Sequence, residues 1–237
     1  HITDYATADF SALVEVIDDL GGLDLNITQG EMNQINKYKK DVDGVTGKNT
    51  PNVTQYGLVH LDGTQATTYA RIRKLSGDDF KRASRQRIVL QAMLEKAKKA
   101  NPATLVKICN SMVDDISTTL SLDQMVSLAK DVTKYKISST TGFPTDLTTK
   151  NMPRCGDTVI PADLVTNVKK LHEYMFDDAA YTPSQTVQAI SETIVNTTGI
   201  TADSAKINTS DYNETVGATG TDEIQKGSET TGGTNVQ

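Results

Sequence analysis

The chain has 237 residues, 37% of them hydrophobic and 23% charged, which is enough for one or two globular domains with a sizeable core. Its formal net charge of -6, four Phe and no Trp argue against a general nucleic-acid or anionic-membrane binder. No apolar run approaches the roughly 20 residues that a membrane span requires.

The first part of the chain predicts a strand, a helix and a second strand joined by short links. Residues 1–9 alternate as in a strand, and Asp9 is a suitable N-cap for a helix over 10–20, with Phe10 on its buried face. Gly21 and Gly22 end this helix, and residues 22–27 alternate as a half-buried strand. This order of elements is typical of an α/β unit.

The middle and end of the chain are mostly helical by pattern. Residues 41–56 contain Gly44, Gly47 and Pro51 and predict a polar loop. Short strands are predicted at 135–138 and 157–160, and a weak amphipathic stretch at 184–195. Helices are predicted over 30–40, 64–71, 79–99, 102–113, 120–132 and 161–175.

Arginine is distributed very unevenly, although lysine is scattered along the whole chain. Five of the six arginines lie between residues 71 and 87, and the sixth is Arg154. A guanidinium presents a planar fork of donors that fits two phosphate oxygens at once, which an ammonium cannot do. The cluster therefore predicts an anion site in an acidic protein.

The predicted helix over 79–99 places Arg82, Arg85 and Gln86 on one face, because they are three and four residues apart. That face continues into apolar residues, whereas Arg87 lies around the helix and is predicted to be solvated. Asp78 and Asp79 open the helix, where the helix dipole favours acidic residues. The spacing is equally compatible with a surface helix carrying Asp–Arg pairs.

Arg71 and Arg73 belong to the preceding predicted helix, which is expected to end between 73 and 77. Residues two apart on a helix point in different directions. The two guanidiniums can therefore reach one ligand only if the backbone leaves the helix between them.

Three ordered runs resemble the LytR–CpsA–Psr family of cell-wall glycopolymer ligases. They are TDYATADFSALVEVIDDLGGLDLNI at 3–27, LDGTQATTYARIRK at 61–74 and GDDFKRASRQRIVLQAML at 77–94, and the likeness covers residues 3–135. It implies an α/β fold with a mixed β-sheet flanked by helices on both faces, an α-β-α sandwich.

The resemblance also implies a phosphotransferase. It would move a glycopolymer, such as teichoic acid or capsule polysaccharide, from a polyprenyl-pyrophosphate carrier to a peptidoglycan hydroxyl. The pyrophosphate would be bound by Arg71, Arg73, Arg82 and Gln86, with Arg85 of second rank, and no catalytic residue is assigned. The sequence leaves open a protein of another class, a non-catalytic binder of an anionic glycan or lipid pyrophosphate.

The family's domain begins with strands that have no counterpart here, and these strands carry the aspartates that hold Mg²⁺. Membrane-anchored family members also have a single N-terminal helix, and the resemblance implies a place at the extracellular face of the cell membrane or in the cell wall of a Gram-positive-type bacterium. We therefore expect residues 1–176 to be the C-terminal portion of the catalytic domain, with an incomplete sheet and little activity alone. Residues 177–195 are expected to be a weakly helical extension, and 196–237 a disordered Thr/Gly/Ser-rich tail.

Cys109 and Cys155 are the only cysteines. In the extracellular setting that the resemblance implies, two cysteines are the number for one disulfide. The alternative is two unrelated thiols, with Cys109 a small apolar residue on a helix.

Overall fold

The computed structural model describes residues 3–73, 78–112 and 115–212, which form eight α-helices and seven β-strands. The helices are α1 (Phe10–Asp19), α2 (Gln29–Thr46), α3 (Gly63–Arg71), α4 (Asp78–Lys99), α5 (Pro102–Ser111), α6 (Leu122–Lys130), α7 (Leu164–Phe176) and α8 (Gln185–Thr198). The strands are β1 (Ala6–Ala8), β2 (Leu23–Ile27), β3 (Gly57–Leu61), β4 (Ile116–Thr118), β5 (Asp146–Met152), β6 (Gly156–Pro161) and β7 (Ile207–Asn208).

The first helix and second strand form as their sequence predicts. The Asp9 side chain caps α1 by accepting the Ala12 N–H at 2.9 Å. The chain then turns through Gly21 and Gly22, whose φ angles of +80° and +76° are accessible to glycine at low cost. Strand β2 buries Leu23 and its alternate residues, and it pairs antiparallel with β3.

Helix α3 lies at the centre of the core, in contact with α1, α2 and α4. Each of its residues except the last is buried. At its start, a Cβ on Gly63 would lie 2.2 Å from the carbonyl oxygen of Val14, so only glycine allows α1 to approach this closely. The core is completed by Ile17, Leu23, Leu25, Ile35, Leu61 and Val89.

Helix α2 is longer than predicted, since it extends to Thr46 and takes up residues that were expected to be loop. Its polar side chains bind the chain that follows. The Asn36 amide both donates to the Val53 carbonyl and accepts the Val53 N–H, each at 2.8 Å. The Asp43 carboxylate accepts the Thr50 hydroxyl at 2.7 Å. A helix that appears solvent-exposed from its composition is therefore partly buried under its own loop.

The C-terminal region contains a three-stranded antiparallel sheet in the order β6-β5-β7. Strand β5 was not predicted, whereas the predicted strand at 135–138 is neither helix nor strand. The completely buried Asn167 of α7 exchanges hydrogen bonds with the backbone N–H and C=O of Asp146, at 2.9 and 2.8 Å. These bonds attach α7 to the start of β5.

The predicted tail does not begin at residue 196. Helix α8 continues to Thr198, and β7 pairs with β5, with Ile207 opposite Leu147. Residues 213–237 lie outside the described residues.

The structure confirms a mixed α/β composition but differs from the predicted single mixed sheet. The described strands form three separate antiparallel ladders, β1-β4, β2-β3 and β6-β5-β7. Partners such as Ala6 and Thr118 are far apart in sequence, which local patterns do not reveal. Within the described ranges, no helix is both long and apolar enough to cross a membrane.

Candidate functional site

The most distinctive local feature of the site is the end of α3. The helix stops at Arg71, and Ile72 leaves it with φ -58° and ψ +125°. This departure from helical geometry is the condition under which Arg71 and Arg73 can reach one ligand. Both arginines line one cavity of about 180 Å³, which we call the arginine hollow. Its other lining residues are Tyr38, Asp41, Thr68 and Ile72.

Arg71 is oriented by an aromatic ring at the start of α1. Its guanidinium carbon lies 4.3 Å from the centroid of Phe10, which is the geometry of a cation–π contact. Phe10 was predicted to be buried, but it is 43% exposed because it lies under this cation at the surface. The contact restrains the Arg71 side chain and leaves it exposed to a ligand.

Arg85 occupies a different environment, since it is only 5% exposed. Its Nε donates to Glu31 Oε1 at 2.6 Å, and its Nη1 donates to the carbonyl oxygen of Ile72 at 3.3 Å. Glu31 is itself 8% exposed and forms the capping box of α2 with Thr28. Arg85 thus joins α4 to the start of α2 and to the turn after α3.

Arg82 and Gln86 lie one turn apart on α4, Arg82 partly buried and Gln86 exposed. Among the described residues that line the arginine hollow, neither is present. The structure therefore brings Arg71 and Arg73 together and places the α4 pair outside that cavity. The side chains of Asp78 and Asp79 lie outside the described residues.

Arg87 was predicted to be solvated, but it is partly buried and lines a second cavity of about 420 Å³. We call this cavity the apolar hollow, because most of its lining is hydrophobic. The sequence pattern missed it because six of the nine lining residues come from segments far along the chain. It is lined by Phe80, Ala83, Arg87, Gly142, Phe143, Pro144, Leu147, Val159 and Thr209.

Tyr38 and Asp41 are residues of the arginine hollow that were not predicted. They lie three apart on α2, which places them on one face of that helix. Residue 41 was expected to be in a loop, so the shared face was not recognised. Asp41 gives the hollow a carboxylate, which can accept a hydrogen bond from a hydroxyl group.

Two carboxylates that line neither hollow have shifted pKa values. Burial raises the pKa of Asp62, the residue that caps α3, despite its hydrogen bond from the Gln65 N–H at 2.8 Å. A hydrogen bond from His60 and a second from Lys96 lower the pKa of Asp24 on β2. The first carboxylate lies next to core elements, whereas the second is exposed.

Cys109 and Cys155 are both free thiols, so the disulfide considered from the sequence is not formed. Burial raises the pKa of the Cys109 thiol on α5, so a smaller fraction of this cysteine is present as thiolate. Across residues 3–73, 78–112 and 115–212, no group of three or more His, Cys, Asp or Glu residues could hold a metal ion. The described residues therefore do not fit a Mg²⁺ site.

The sequence profile of the LytR_cpsA_psr family matches residues 1–152, well over half of the chain. The chain belongs to this family. Its curated relatives include the polyisoprenyl-teichoic acid–peptidoglycan teichoic acid transferase TagV of Bacillus subtilis, 28% identical over 189 residues. The match covers 77% of this chain and 44% of TagV. A transferase named TagU from Enterococcus faecalis is 27% identical over 132 residues, 55% of this chain and 38% of that protein.

Solved structures support the same fold. The crystal structure of Bacillus subtilis TagV matches 77% of this chain and 66% of its own, with a TM-score of 0.50 and 22% identity. A protein from Enterococcus faecalis described as a transcriptional regulator gives a TM-score of 0.57 at 16% identity, over 87% and 69% of the two chains. This LytR_cpsA_psr chain spans less than half the length of the curated relatives above.

Proposed function

We propose that this LytR_cpsA_psr protein is a phosphotransferase that moves a glycopolymer from a polyprenyl-pyrophosphate carrier to a peptidoglycan hydroxyl. The observation that carries the proposal is the turn at Ile72, which directs Arg71 and Arg73 into one hollow. The named transferases among its relatives supply the substrate class, teichoic acid on a polyisoprenyl carrier. Capsule polysaccharide is a second candidate cargo with the same linkage chemistry.

A pyrophosphate has more negative charge than one side chain can neutralise, and two guanidiniums match it well. In phosphoryl transfer, the protein acts mainly by positioning the groups and by stabilising charge on the phosphoryl oxygens. Arg71 and Arg73 fulfil that requirement from either side of the Ile72 turn. Arg82 and Gln86 lie outside the arginine hollow, and we assign them to the part of the same ligand that extends beyond it towards α4, which packs against α3.

The apolar hollow is the site that we propose for the prenyl chain. Its lining is chiefly hydrophobic, and its 420 Å³ exceed the volume of the arginine hollow. Ala83 lies in its wall on α4, one residue from Arg82. A lipid carrier that contacted Arg82 and also entered the apolar hollow would have its pyrophosphate and its prenyl chain bound by residues of one helix, α4.

The family implies Mg²⁺, and the described residues do not supply its ligands. We therefore propose that these ligands lie outside the described residues, and we derive no step through the ion. Full transfer activity is accordingly proposed for the full-length protein at the outer face of the cell membrane. Asp41, the carboxylate of the arginine hollow, is available to accept a hydrogen bond from the acceptor hydroxyl.

The proposed function is tested by supplying the full-length protein with a polyprenyl-pyrophosphate glycan and peptidoglycan fragments. Release of polyprenyl phosphate and joining of the glycan are then measured. We expect both in the wild type, with losses in Arg73→Ala and Arg82→Ala of at least about tenfold, because each loses a charged hydrogen bond. Arginine-dependent binding without turnover would instead identify a non-catalytic binder, and hydrolysis without acceptor would identify a pyrophosphatase.

A further inference from the structure

The turn that aims Arg71 and Arg73 is held by a second pair of charged residues. Arg85 Nη1 donates to the Ile72 carbonyl oxygen at 3.3 Å, while its Nε donates to Glu31 Oε1 at 2.6 Å. The Ile72 carbonyl belongs to the planar peptide that joins Ile72 to Arg73. The orientation of this peptide sets the direction in which Arg73 leaves the turn.

Glu31 is restrained on its other side. Its Oε2 accepts the Thr28 N–H at 2.9 Å, and its own N–H donates to the Thr28 hydroxyl at 3.2 Å. Both carboxylate oxygens are therefore occupied, and Glu31 cannot rotate away from Arg85 without uncapping α2. The start of α2 is thus linked through Arg85 to the turn after α3.

Burial makes this link rigid. The Arg85 and Glu31 side chains are only 6% and 10% exposed, and separation would leave each charge unpaired away from water. The Arg85 guanidinium also lies over the buried Tyr69 ring, 6.0 Å from its centroid. Arg71 and Arg73 are exposed by contrast, so the two sets of arginines have different environments.

We propose that Arg85 and Glu31 are positioning residues, which fix the turn at Ile72 so that Arg71 and Arg73 face the same diphosphate. This inference rests on the proposed function. In this proposal Arg85 does not contact the pyrophosphate directly, because its guanidinium donates to Glu31 and to the Ile72 carbonyl oxygen. Arg85 then acts on the ligand through Arg73.

If Arg85 had a purely structural role, its substitution would lower stability without changing the preference between ligands. If Arg85 positions the turn, its substitution should weaken the binding of a ligand that needs both Arg71 and Arg73 more than the binding of a ligand that needs only one of them. Geranyl pyrophosphate and geranyl phosphate form a suitable pair of probes, because they share an apolar chain and differ by one phosphate. The ratio of their affinities therefore reports on the alignment of the two arginines.

The test uses Arg85→Lys, which keeps a positive charge beside Glu31 but lacks the fork that reaches two acceptors. Dissociation constants for both probes are measured on the 237-residue chain for wild type, Arg85→Lys, Arg73→Ala and the double variant. The temperature is chosen so that circular dichroism shows all four to be folded. We expect Arg85→Lys to weaken geranyl pyrophosphate binding about tenfold and geranyl phosphate binding by a smaller factor. In the Arg73→Ala background, it should add little.

The inference is overturned if Arg85→Lys binds both probes as wild type does, weakens both equally, or multiplies the loss caused by Arg73→Ala. In these cases an Arg73→Ala defect would still support the proposed function. Binding of geranyl pyrophosphate by Arg73→Ala as tight as wild type would overturn both. If Arg85→Lys does not fold, Glu31→Gln is measured in the same way, with the same expected direction.

Discussion

Arg85 and Glu31 illustrate how much a single residue contributes when its charge is withdrawn from water. Their ion pair is buried, whereas the pair between Lys48 and Asp18 is at the surface, with the two side chains 39% and 35% exposed. Surface pairs contribute little because water screens them, but a buried charge that loses its partner is strongly destabilising.

We expect Glu31→Ala to lower the free energy of unfolding by about 3–5 kcal/mol, because it leaves the Arg85 guanidinium buried without its carboxylate. Lys48→Ala is the matched control and should cost less than about 1 kcal/mol. Urea denaturation followed by circular dichroism measures both. Equal losses in the two variants would mean that the Glu31–Arg85 pair is not buried as described.

Asp62 provides a pH-dependent test at the same scale. Burial raises its pKa, so its neutral form is favoured in the folded state. The linked stabilisation is fully present below the unfolded value of about 3.9 and is lost as the pH rises through the folded pKa. At pH 7 the carboxylate therefore lowers the free energy of unfolding.

Asp62→Asn retains an oxygen that can cap α3 and removes the titrating charge. We expect this variant to be more stable than wild type at pH 7, with the advantage disappearing towards pH 3. Urea midpoints at pH 3, 5 and 7 measure the difference, and Asp62→Ala, which lacks the cap, should be less stable than Asp62→Asn at each pH. The stability difference between Asp62→Asn and wild type should favour the variant more at pH 7 than at pH 3. The opposite trend would contradict the burial of this carboxylate.

The sequence predicts the placement of some site residues and not of others. The arginine cluster and the need for a turn between Arg71 and Arg73 follow from residue type and spacing alone. The burial of Arg85 does not, because it depends on Glu31, which is 54 residues away. Arg87 was predicted to be solvated for the same reason, since its neighbours in the apolar hollow come from distant segments.

At the scale of elements, two glycines in helices differ in whether the surrounding structure has room for a side chain. Gly63 starts α3, and a Cβ there would lie 2.2 Å from the Val14 carbonyl oxygen of α1. Gly44 lies inside α2, and a Cβ there would have no atom within 4 Å. The first glycine allows two helices to pack closely, whereas the second only lowers helix propensity.

Gly63→Ala should therefore lower the free energy of unfolding by about 3 kcal/mol, because α1 and α3 must move apart. Gly44→Ala should raise it by about 0.5–1 kcal/mol, because alanine restricts the unfolded chain and favours the helix. Thermal or urea unfolding of the two variants measures both changes. Tolerance of alanine at 63 would show that α1 and α3 are not in backbone contact.

Helices with a clear cap or breaker were predicted well, as in α5, which begins after Asn101 with Pro102 at its first position. Helix α2 was predicted too short because its C-terminal half is polar by composition. Its side chains instead bind the following loop, through contacts such as that between Asp43 and Thr50. Strand β5 was missed because its register depends on β6 and β7, and its sequence shows no strict alternation.

At the scale of the whole molecule, the described strands form separate ladders of two or three strands, and a two-stranded ladder is marginally stable by itself. The β2-β3 ladder is stabilised by packing of its buried residues against α3 and α4. The family match identifies the fold to which these elements belong, while the pairing of β1 with β4 links segments that are separated by more than a hundred residues. Such pairing could not be derived from local sequence patterns.

We expect above all that Arg71 and Arg73 bind one diphosphate together. Isothermal titration of the 237-residue chain with geranyl pyrophosphate tests it most directly, with Arg71→Ala, Arg73→Ala and the control Arg154→Gly. Arg154 is exposed, lies outside the arginine cluster and has φ +72°, which glycine accommodates. We expect each of the first two variants to lose about tenfold or more in affinity and the control to bind as wild type does. Equal affinities in all four proteins would contradict it.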